Sequence, residues 1–283
     1  MALKTMYITR DPAVARIAEE AGVDRVWVDL EYIGKAARQG GMDTVQSHHT
    51  IEDIRVVRGA IRRAELLVRV NPIHGATADH GDSRSEIEAV LAAGADRLML
   101  PYFKTAAEVE TFLQIINGRA RNVLLLETPE AVEALDEILR LPGIDEIHIG
   151  LNDLSLGYGL PFMFQLLADG TVERLCLKLR EAGIPYGFGG IASPGKGLLP
   201  AERIIREHYR LGSTRVILSR SFCNTDQIRD LDEIRRVFET GMREIRALER
   251  ECEEHASYFW DNRRETEAAI RQITETLSGE GKR

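Results

Sequence analysis

The sequence predicts an α/β fold, a (β/α)8 TIM barrel with a C-terminal helical extension, and three observations carry that expectation. Short apolar runs alternate with helical patterns along the chain, the signature of parallel βαβ units. Eight such runs can be counted, which suits a closed barrel better than an open doubly wound sheet. The chain has 283 residues, against about 250 for a usual barrel, which leaves room for an added helical segment.

The expected strands are Lys4–Thr9, Arg25–Glu31, Leu66–Asn71, Arg97–Tyr102, Val123–Thr128, Glu146–Leu151, Pro185–Gly190 and Arg215–Phe222. Most are dense in Val, Ile and Leu, as strands covered on both faces should be. Between the first two, Asp11–Ala21 opens on Asp-Pro, a cap followed by proline at the first helical position, and closes on Ala21-Gly22. Farther on, Ser85–Ala93 stops at Gly94 and Thr105–Asn117 stops at Gly118. Pro129–Leu141 begins on proline and halts before Pro142-Gly143.

Two regions follow from this pattern. Residues 1–225 form the barrel with its catalytic mouth, and residues 226–283 form C-terminal helices that complete it. In the tail Leu231, Ile234, Phe238, Ile245, Leu248, Cys252 and Phe259 fall near a three-four spacing and make one apolar stripe. Asp261-Asn262 is expected to break it, and a last helix carries Ile270, Ile273 and Leu277. The stripe packs either on its own barrel or on another subunit, so a homo-oligomer joined through these helices is one expectation. The tail is also the most charged part of the chain, with 26 charged residues among its 58.

Composition narrows the function classes. Hydrophobic residues make up 44% and charged residues 29%, ordinary for a globular protein and against disorder. The net charge of −8 disfavours nucleic-acid binding, which needs a basic excess to track phosphates. Cys176, Cys223 and Cys252 lie far apart with no CxxC spacing, so neither a zinc ribbon nor a disulfide framework is indicated. The opening MALKTMYITRDP meets charge before any long apolar run. No signal peptide or membrane span is expected, and the cytoplasm is the expected location.

Barrel enzymes build their sites at the C-terminal ends of the strands, and side chains alternate along each strand. The second strand ends VDLE, which puts Asp29 and Glu31 on one face. Arg69 ends the third strand, Glu127 the fifth, and Asp153 follows the sixth. Two carboxylates from neighbouring strands suit a hard divalent cation, Mg2+ or in its place Mn2+ or Co2+. An arginine on the same rim forks onto a carboxylate. A metal beside an arginine is the equipment for binding a 2-oxo acid and stabilising its enolate.

The blocks AGVDRVWVDLE, LLVRVN, AGADRLMLPYFKTAAEVE, LLLETPEAVEALDEIL and GIDEIHIGLNDLSLGYG resemble, in order, those of the HpcH/HpaI aldolase/citrate lyase family over roughly residues 13–160. The resemblance implies a metal-dependent carbon–carbon lyase on a pyruvate-kinase-like barrel. It implies that Glu127 and Asp153 hold the metal, that Arg69 grips the oxo-acid carboxylate, and that Asp29 supports the site. The chain departs from the family pattern in three places. Tyr32 stands where a histidine acid/base follows the second-strand glutamate, Leu125 stands for a glutamine, and Leu151-Asn152 replaces the proline before the DLS block.

Other groups are therefore candidates for moving the proton: Asp29, Glu31, Tyr32, and the loop histidines His48 and His49 in the irregular stretch Ile33–Thr50. His74 and His80 follow the third strand with a weaker claim. His148 has the opposite parity to Ile147 and Ile149 and is expected to face the helices. Backbone amides near Pro101, together with Asn152, are expected to contact substrate. The run GFGGIASPGKGLLP follows the seventh strand and only superficially resembles a P-loop. Its Gly190 and Lys196 are expected to hold an anionic far end of the substrate. A Schiff-base mechanism is disfavoured, because no expected strand carries an interior lysine.

The expected function is reversible cleavage of a 4-hydroxy-2-oxo acid to a 2-oxo acid and an aldehyde. One alternative is a lyase or synthase of the same superfamily working on a CoA, phosphorylated or sugar-derived substrate. The other is a non-catalytic barrel that has lost its base.

Overall fold

Asp11 caps the first helix as its sequence implies: one carboxylate oxygen accepts from the amides of Ala13 and Val14, and Pro12 opens the first turn. This is the first of several helix starts in the computed structural model, which describes residues 2–35, 48–77, 80–255 and 257–280. All eight expected strands form: β1 (Lys4–Ile8), β2 (Arg25–Asp29), β3 (Glu65–Arg69), β4 (Arg97–Leu100), β5 (Arg121–Leu126), β6 (Ile147–Ile149), β7 (Tyr186–Ile191) and β8 (Arg215–Leu218). They bond in chain order as a closed barrel, a (β/α)8 fold with further helices at its C-terminus.

Several strands stop earlier than their apolar runs suggest, each for a local reason. Past β2 the Glu31 amide turns back to Asp29 Oδ1 (3.1 Å), an Asx turn that takes the chain off the ladder. Past β4 comes Pro101, which has no amide to donate, and Tyr102 adopts φ 49°. Past β8 the Phe222 amide closes a turn on the Ser219 carbonyl at 2.9 Å. The single helix expected over Pro129–Leu141 is instead two short ones, Pro129–Glu133 and Leu135–Ile138.

By its contacts the chain divides into two compact units. The first spans Tyr7–Glu146 and includes β2 to β5 with α1 (Pro12–Glu20), α2 (Ile51–Ala60), α3 (Ser83–Ala92) and α4 (Ala106–Ile116). Its strands are buried almost throughout, with Val26, Leu66, Leu98 and Leu124 fully inaccessible. The β2–β3 register pairs Arg25 with Glu65 at one end and Asp29 with Arg69 at the other. At the N-terminal end the Arg25 guanidinium is fully buried, doubly bonded to Glu146 (2.6 and 2.8 Å) and bonded to Glu65 (2.9 Å). Arg97 adds two more bonds to Glu65 (2.6 and 3.0 Å).

The second unit comprises Met1–Met6 and Ile147–Arg283. Here β7 is glycine-rich because its neighbours leave no room. A Cβ on Gly187 would meet the Arg215 carbonyl oxygen at 2.3 Å, and Gly189, at φ +53°, would meet Leu151 at 2.7 Å. A 24-residue helix, Leu231–Glu254, is capped by Asp230 and buries Ile234, Phe238, Ile245 and Cys252, while Leu231 stays exposed. The break comes at His255, not at Asp261-Asn262, and the last helix runs Tyr258–Glu280. Asn262 lies inside that helix, where its amide nitrogen bonds the Arg203 carbonyl (3.1 Å) and Glu207 (3.0 Å). Both helices pack on Ala201–Leu211 of the same unit, so the apolar stripe is covered at least partly by its own chain. No helix among the described residues is long and apolar enough to cross a membrane.

Candidate active site

The C-terminal ends of β2 and β3 carry a buried cluster of four charged side chains. The register sets Asp29 beside Arg69, and the Arg69 fork grips both Asp29 oxygens at 2.7 Å. Glu31, two residues on, comes within 3.3 Å of Arg69. Lys35 reaches back to Asp29 at 2.9 Å and to Glu31 at 3.6 Å. Asp29 and Glu31 are inaccessible, Lys35 is 4% exposed and Arg69 9%. Burial alone would make Arg69 a weaker base, but Asp29 and Glu31, with Glu127 behind them, raise its pKa. The two cations and two anions compensate each other, which is what lets them stay buried.

Asp29, Glu31 and Arg69 were all legible as strand ends. Lys35 was not: it sits beyond the strand, and its one signal is the four-residue step from Glu31. Of the loop Ile33–Thr50, residues 36–47 lie outside the described residues. At its far end Thr50 and Asp53 form a capping box on α2, which fixes the residue just before the cap. That residue is His49, and its Nδ1 accepts the Asp29 amide hydrogen at 3.0 Å. His48 instead faces solvent, and its carbonyl accepts from Arg10 at 3.3 Å.

The His49 geometry revises the expectation of a proton acceptor. A backbone amide can only donate, so Nδ1 is the acceptor and the proton of the neutral ring sits on Nε2. Burial lowers the His49 pKa, against the opposing pull of Asp29 and Asp53. His49 is thus placed as a neutral hydrogen-bond donor.

Beside this cluster lies a cavity of about 330 Å3 lined by Tyr32, His49, Asn71, His74, His80 and Glu86, among others. Asn71 organises its floor: its oxygen accepts from the amides of Tyr32 and Ile33 at 3.0 Å each. Its side-chain nitrogen donates to the Leu30 carbonyl (3.2 Å) and to Glu86 Oε1 (2.9 Å). The Tyr32 ring is 52% exposed and meets His80 edge-on. Tyr32 therefore stands at the cavity rim and not among the buried charges. Glu86, from α3, had no signal in the sequence beyond its place in a helix.

Glu127 is 3% exposed at the end of β5 and accepts the Tyr102 amide at 3.0 Å. The amide that follows Pro101, expected to hold substrate, is engaged by this carboxylate, while Pro101 itself is buried. Thr128 caps the helix behind it, accepting from the Ala131 amide (3.1 Å), and donates to the Phe103 carbonyl (2.7 Å).

In the second unit Asp153 is 8% exposed, third in the short helix Leu151–Gly157. The Asn152 carbonyl accepts the Ser155 hydroxyl at 2.7 Å. Gly190 is half-buried within β7 and Lys196 is exposed. The loop around Lys196 closes on itself: the Gly195 amide donates to Glu202 (2.7 Å) and the Lys196 amide to the Ser193 carbonyl (2.9 Å). An anion would have to displace Glu202 to use that Gly195 amide. His148 is buried, with its Nε2 3.0 Å from the Gly189 carbonyl, and it lies close enough to His208 of the helix Ala201–Leu211 to add to the burial that lowers the His208 pKa, the direction its strand parity predicts.

A family model described as HpcH/HpaI aldolase/citrate lyase matches residues 5–163. The chain is similar to a 2-keto-3-deoxy-L-rhamnonate aldolase of Shigella dysenteriae serotype 1 (strain Sd197), 24% identical over 210 residues, covering 63% of this chain and 71% of that protein. It is also similar to the 4-hydroxy-4-methyl-2-oxoglutarate aldolase cghB of Chaetomium globosum, 22% identical over 214 residues, covering 64% and 72% respectively. Among solved structures it shares its fold with an HpcH/HpaI aldolase/citrate lyase family protein from Burkholderia cenocepacia J2315, with a TM-score of 0.59 and 17% identity over 83% of this chain and 95% of that one. An HpcH/HpaI aldolase from Desulfitobacterium hafniense DCB-2 gives a TM-score of 0.55 at 18% identity, over 77% and 86%.

Proposed function

Because this chain belongs to the HpcH/HpaI aldolase/citrate lyase family and is a carbon–carbon lyase of the aldolase type, we propose that it forms or cleaves a 4-hydroxy-2-oxo acid with the help of a divalent cation. The observation that carries this reading is the buried Asp29–Arg69–Glu31–Lys35 cluster at the C-terminal strand ends, inside the family-matched region.

Glu127 and Asp153 are the proposed metal ligands, and the support for each comes from its own unit. Each is a nearly buried carboxylate at the C-terminal end of a strand. Among the described residues no three His, Cys, Asp or Glu side chains group as a metal site. Two carboxylates with the other positions left to water and substrate is the set Mg2+ accepts, with Mn2+ and Co2+ as substitutes. The cation would polarise the keto oxygen and stabilise charge developing there.

The protein groups do the remainder. Arg69 binds the oxo-acid carboxylate with its fork, exchanging Asp29 for it, while Lys35 stays on Asp29 and Glu31 and covers their charge. Glu31, 3.3 Å from Arg69 and 3.6 Å from Lys35, accepts the proton of the substrate hydroxyl. His49 donates from Nε2 to the oxygen of the departing aldehyde, as a neutral imidazole can. Lys196 is the only group of the glycine-rich loop retained in this reading, as a distal anion contact.

The cytoplasm is the proposed location, supported by Cys176, Cys223 and Cys252, which are buried and form no disulfide among the described residues. A homo-oligomer is supported by the exposed Tyr258 and Trp260 of the last helix.

Pyruvate release from a panel of 4-hydroxy-2-oxo acids, with EDTA and after adding back Mg2+, Mn2+ or Co2+, tests the reading. Activity should vanish with the chelator and return with the ion. Glu127→Gln should lower kcat/KM at least about a thousandfold, since metal charge supplies several kcal/mol at about 1.4 kcal/mol per decade. Full activity in EDTA would refute the metal assignment.

A further inference from the structure

Trp27 stands between the two buried ion networks of β2. Strand parity puts it on the same face as Arg25 and Asp29. Its side chain is buried, and the Arg69 guanidinium carbon lies over its ring, 4.8 Å from the centroid. Trp27 Nε1 is also buried and has no hydrogen-bond partner among the described residues. A buried indole ordinarily finds an acceptor for that hydrogen, and leaving it unmet is destabilising. Leucine or methionine would fill space in the barrel without that penalty. What an indole adds at this position is the face of its ring.

We propose that Trp27 is a positioning residue for Arg69, its ring face holding the guanidinium in the orientation that receives the oxo-acid carboxylate. The proposal rests on the lyase reading above and adds a residue to it. The two shortest bonds of Arg69, 2.7 Å each, both go to Asp29, and these are the bonds an arriving carboxylate replaces. Glu31 stays farther off, at 3.3 Å. During the exchange the guanidinium needs a contact that does not compete for its N–H groups. The ring face supplies one, because it attracts a cation through its quadrupole and offers no carboxylate-like lone pair. A planar guanidinium suits such a division, with its edge for a carboxylate and its face for a ring. Both partners are buried, the setting in which a cation–π contact is strongest.

The kinetic consequence is specific. The carboxylate is gripped alike in the bound ground state and in the transition state, so a looser grip raises KM and leaves kcat in place. A defect in barrel packing that disturbs the reacting groups would lower kcat as well.

The test compares Trp27→Phe with Trp27→Met, side chains of comparable size of which only one has a ring face. Exchange of the pyruvate methyl protons in D2O, in the metal-loaded enzyme, gives KM and kcat for pyruvate alone. Trp27→Met should raise KM about tenfold or more with kcat held within about twofold, the size a desolvated cation–π contact supplies. Trp27→Phe should recover most of that loss. Chemical denaturation should show both variants losing similar stability, since both remove core volume. Trp27→Tyr and Trp27→Leu form a second pair, so the comparison survives if one of the first variants does not fold. Equal KM values with and without a ring would overturn the positioning role and leave Trp27 as a space-filler. A fall in kcat at unchanged KM would overturn it too. Absence of exchange in the wild type would instead overturn the lyase reading, and the role of Trp27 with it.

Discussion

The two ends of β2 and β3 carry buried ion networks of mirrored sign, and the contrast between them separates structure from chemistry. At the N-terminal end Arg25 on β2 faces Glu65 on β3; at the C-terminal end Asp29 on β2 faces Arg69 on β3. The first network is closed. Arg25 bonds Glu146 and Glu65, and Arg97 completes Glu65. The second borders a cavity and includes a lysine from beyond the strand. In a barrel the N-terminal face serves stability and the C-terminal face serves reaction. Here the same charge pairing is used for both, and only its surroundings differ.

The comparison breaks most readily at Arg25. Arg25→Met removes one partner of a buried network and takes from Glu146 its bonds of 2.6 and 2.8 Å, leaving Arg97 at 3.9 Å, at a cost of about 3–5 kcal/mol in stability. Chemical denaturation should register that loss, while kcat/KM per folded molecule stays unchanged. A drop in catalysis without loss of stability would erase the distinction between the two ends.

His49 sharpens the comparison from the other side. His49→Ala should reduce kcat about a hundredfold, the effect of deleting one well-placed donor, and His49→Gln, which retains an N–H, should recover part of it. Because burial lowers its pKa below the ordinary 6.5, the ring stays neutral at pH 7. The donor role then predicts no loss of activity from His49 protonation until the pH falls below that value. An acid limb above pH 6.5 that disappears in His49→Gln would contradict the donor role.

The smallest effect concerns Glu65. Burial alone would raise its pKa, but the hydrogen bonds and charges of Arg97 and Arg25 hold it down to about 2, from an ordinary 4.5. A lowered carboxylate pKa adds stability above the unfolded value and surrenders it as pH falls through the folded one. Acid titration of the unfolding free energy should therefore show a decline between about pH 4.5 and pH 2. Glu65→Gln should flatten that part of the curve. The effect is modest, because Glu65 is 36% exposed and screened by solvent.

Much of this was written in the linear chain. The eight apolar runs, Asp11-Pro12, Thr105 and the glycine stops set the order of strands and helices, because caps and turns act over a few residues. Period two put Asp29 and Glu31 on one face, and Arg69 at the end of its strand, since strand parity is a local property. The break of the C-terminal helices was misplaced for the opposite reason. Asp261-Asn262 looks like a stop only until Asn262 finds Arg203 and Glu207, more than fifty residues away.

What only tertiary structure decided is which partner each polar group meets. No pattern says that Lys35 returns to Asp29, that the Asp29 amide turns His49 into a donor, or that Glu86 bonds Asn71. Sequence by itself determined the barrel and the strand-end charges, through short-range rules of spacing and capping. Folding decided their chemistry, because pairing, burial and tautomer depend on groups brought together from separate segments of the chain.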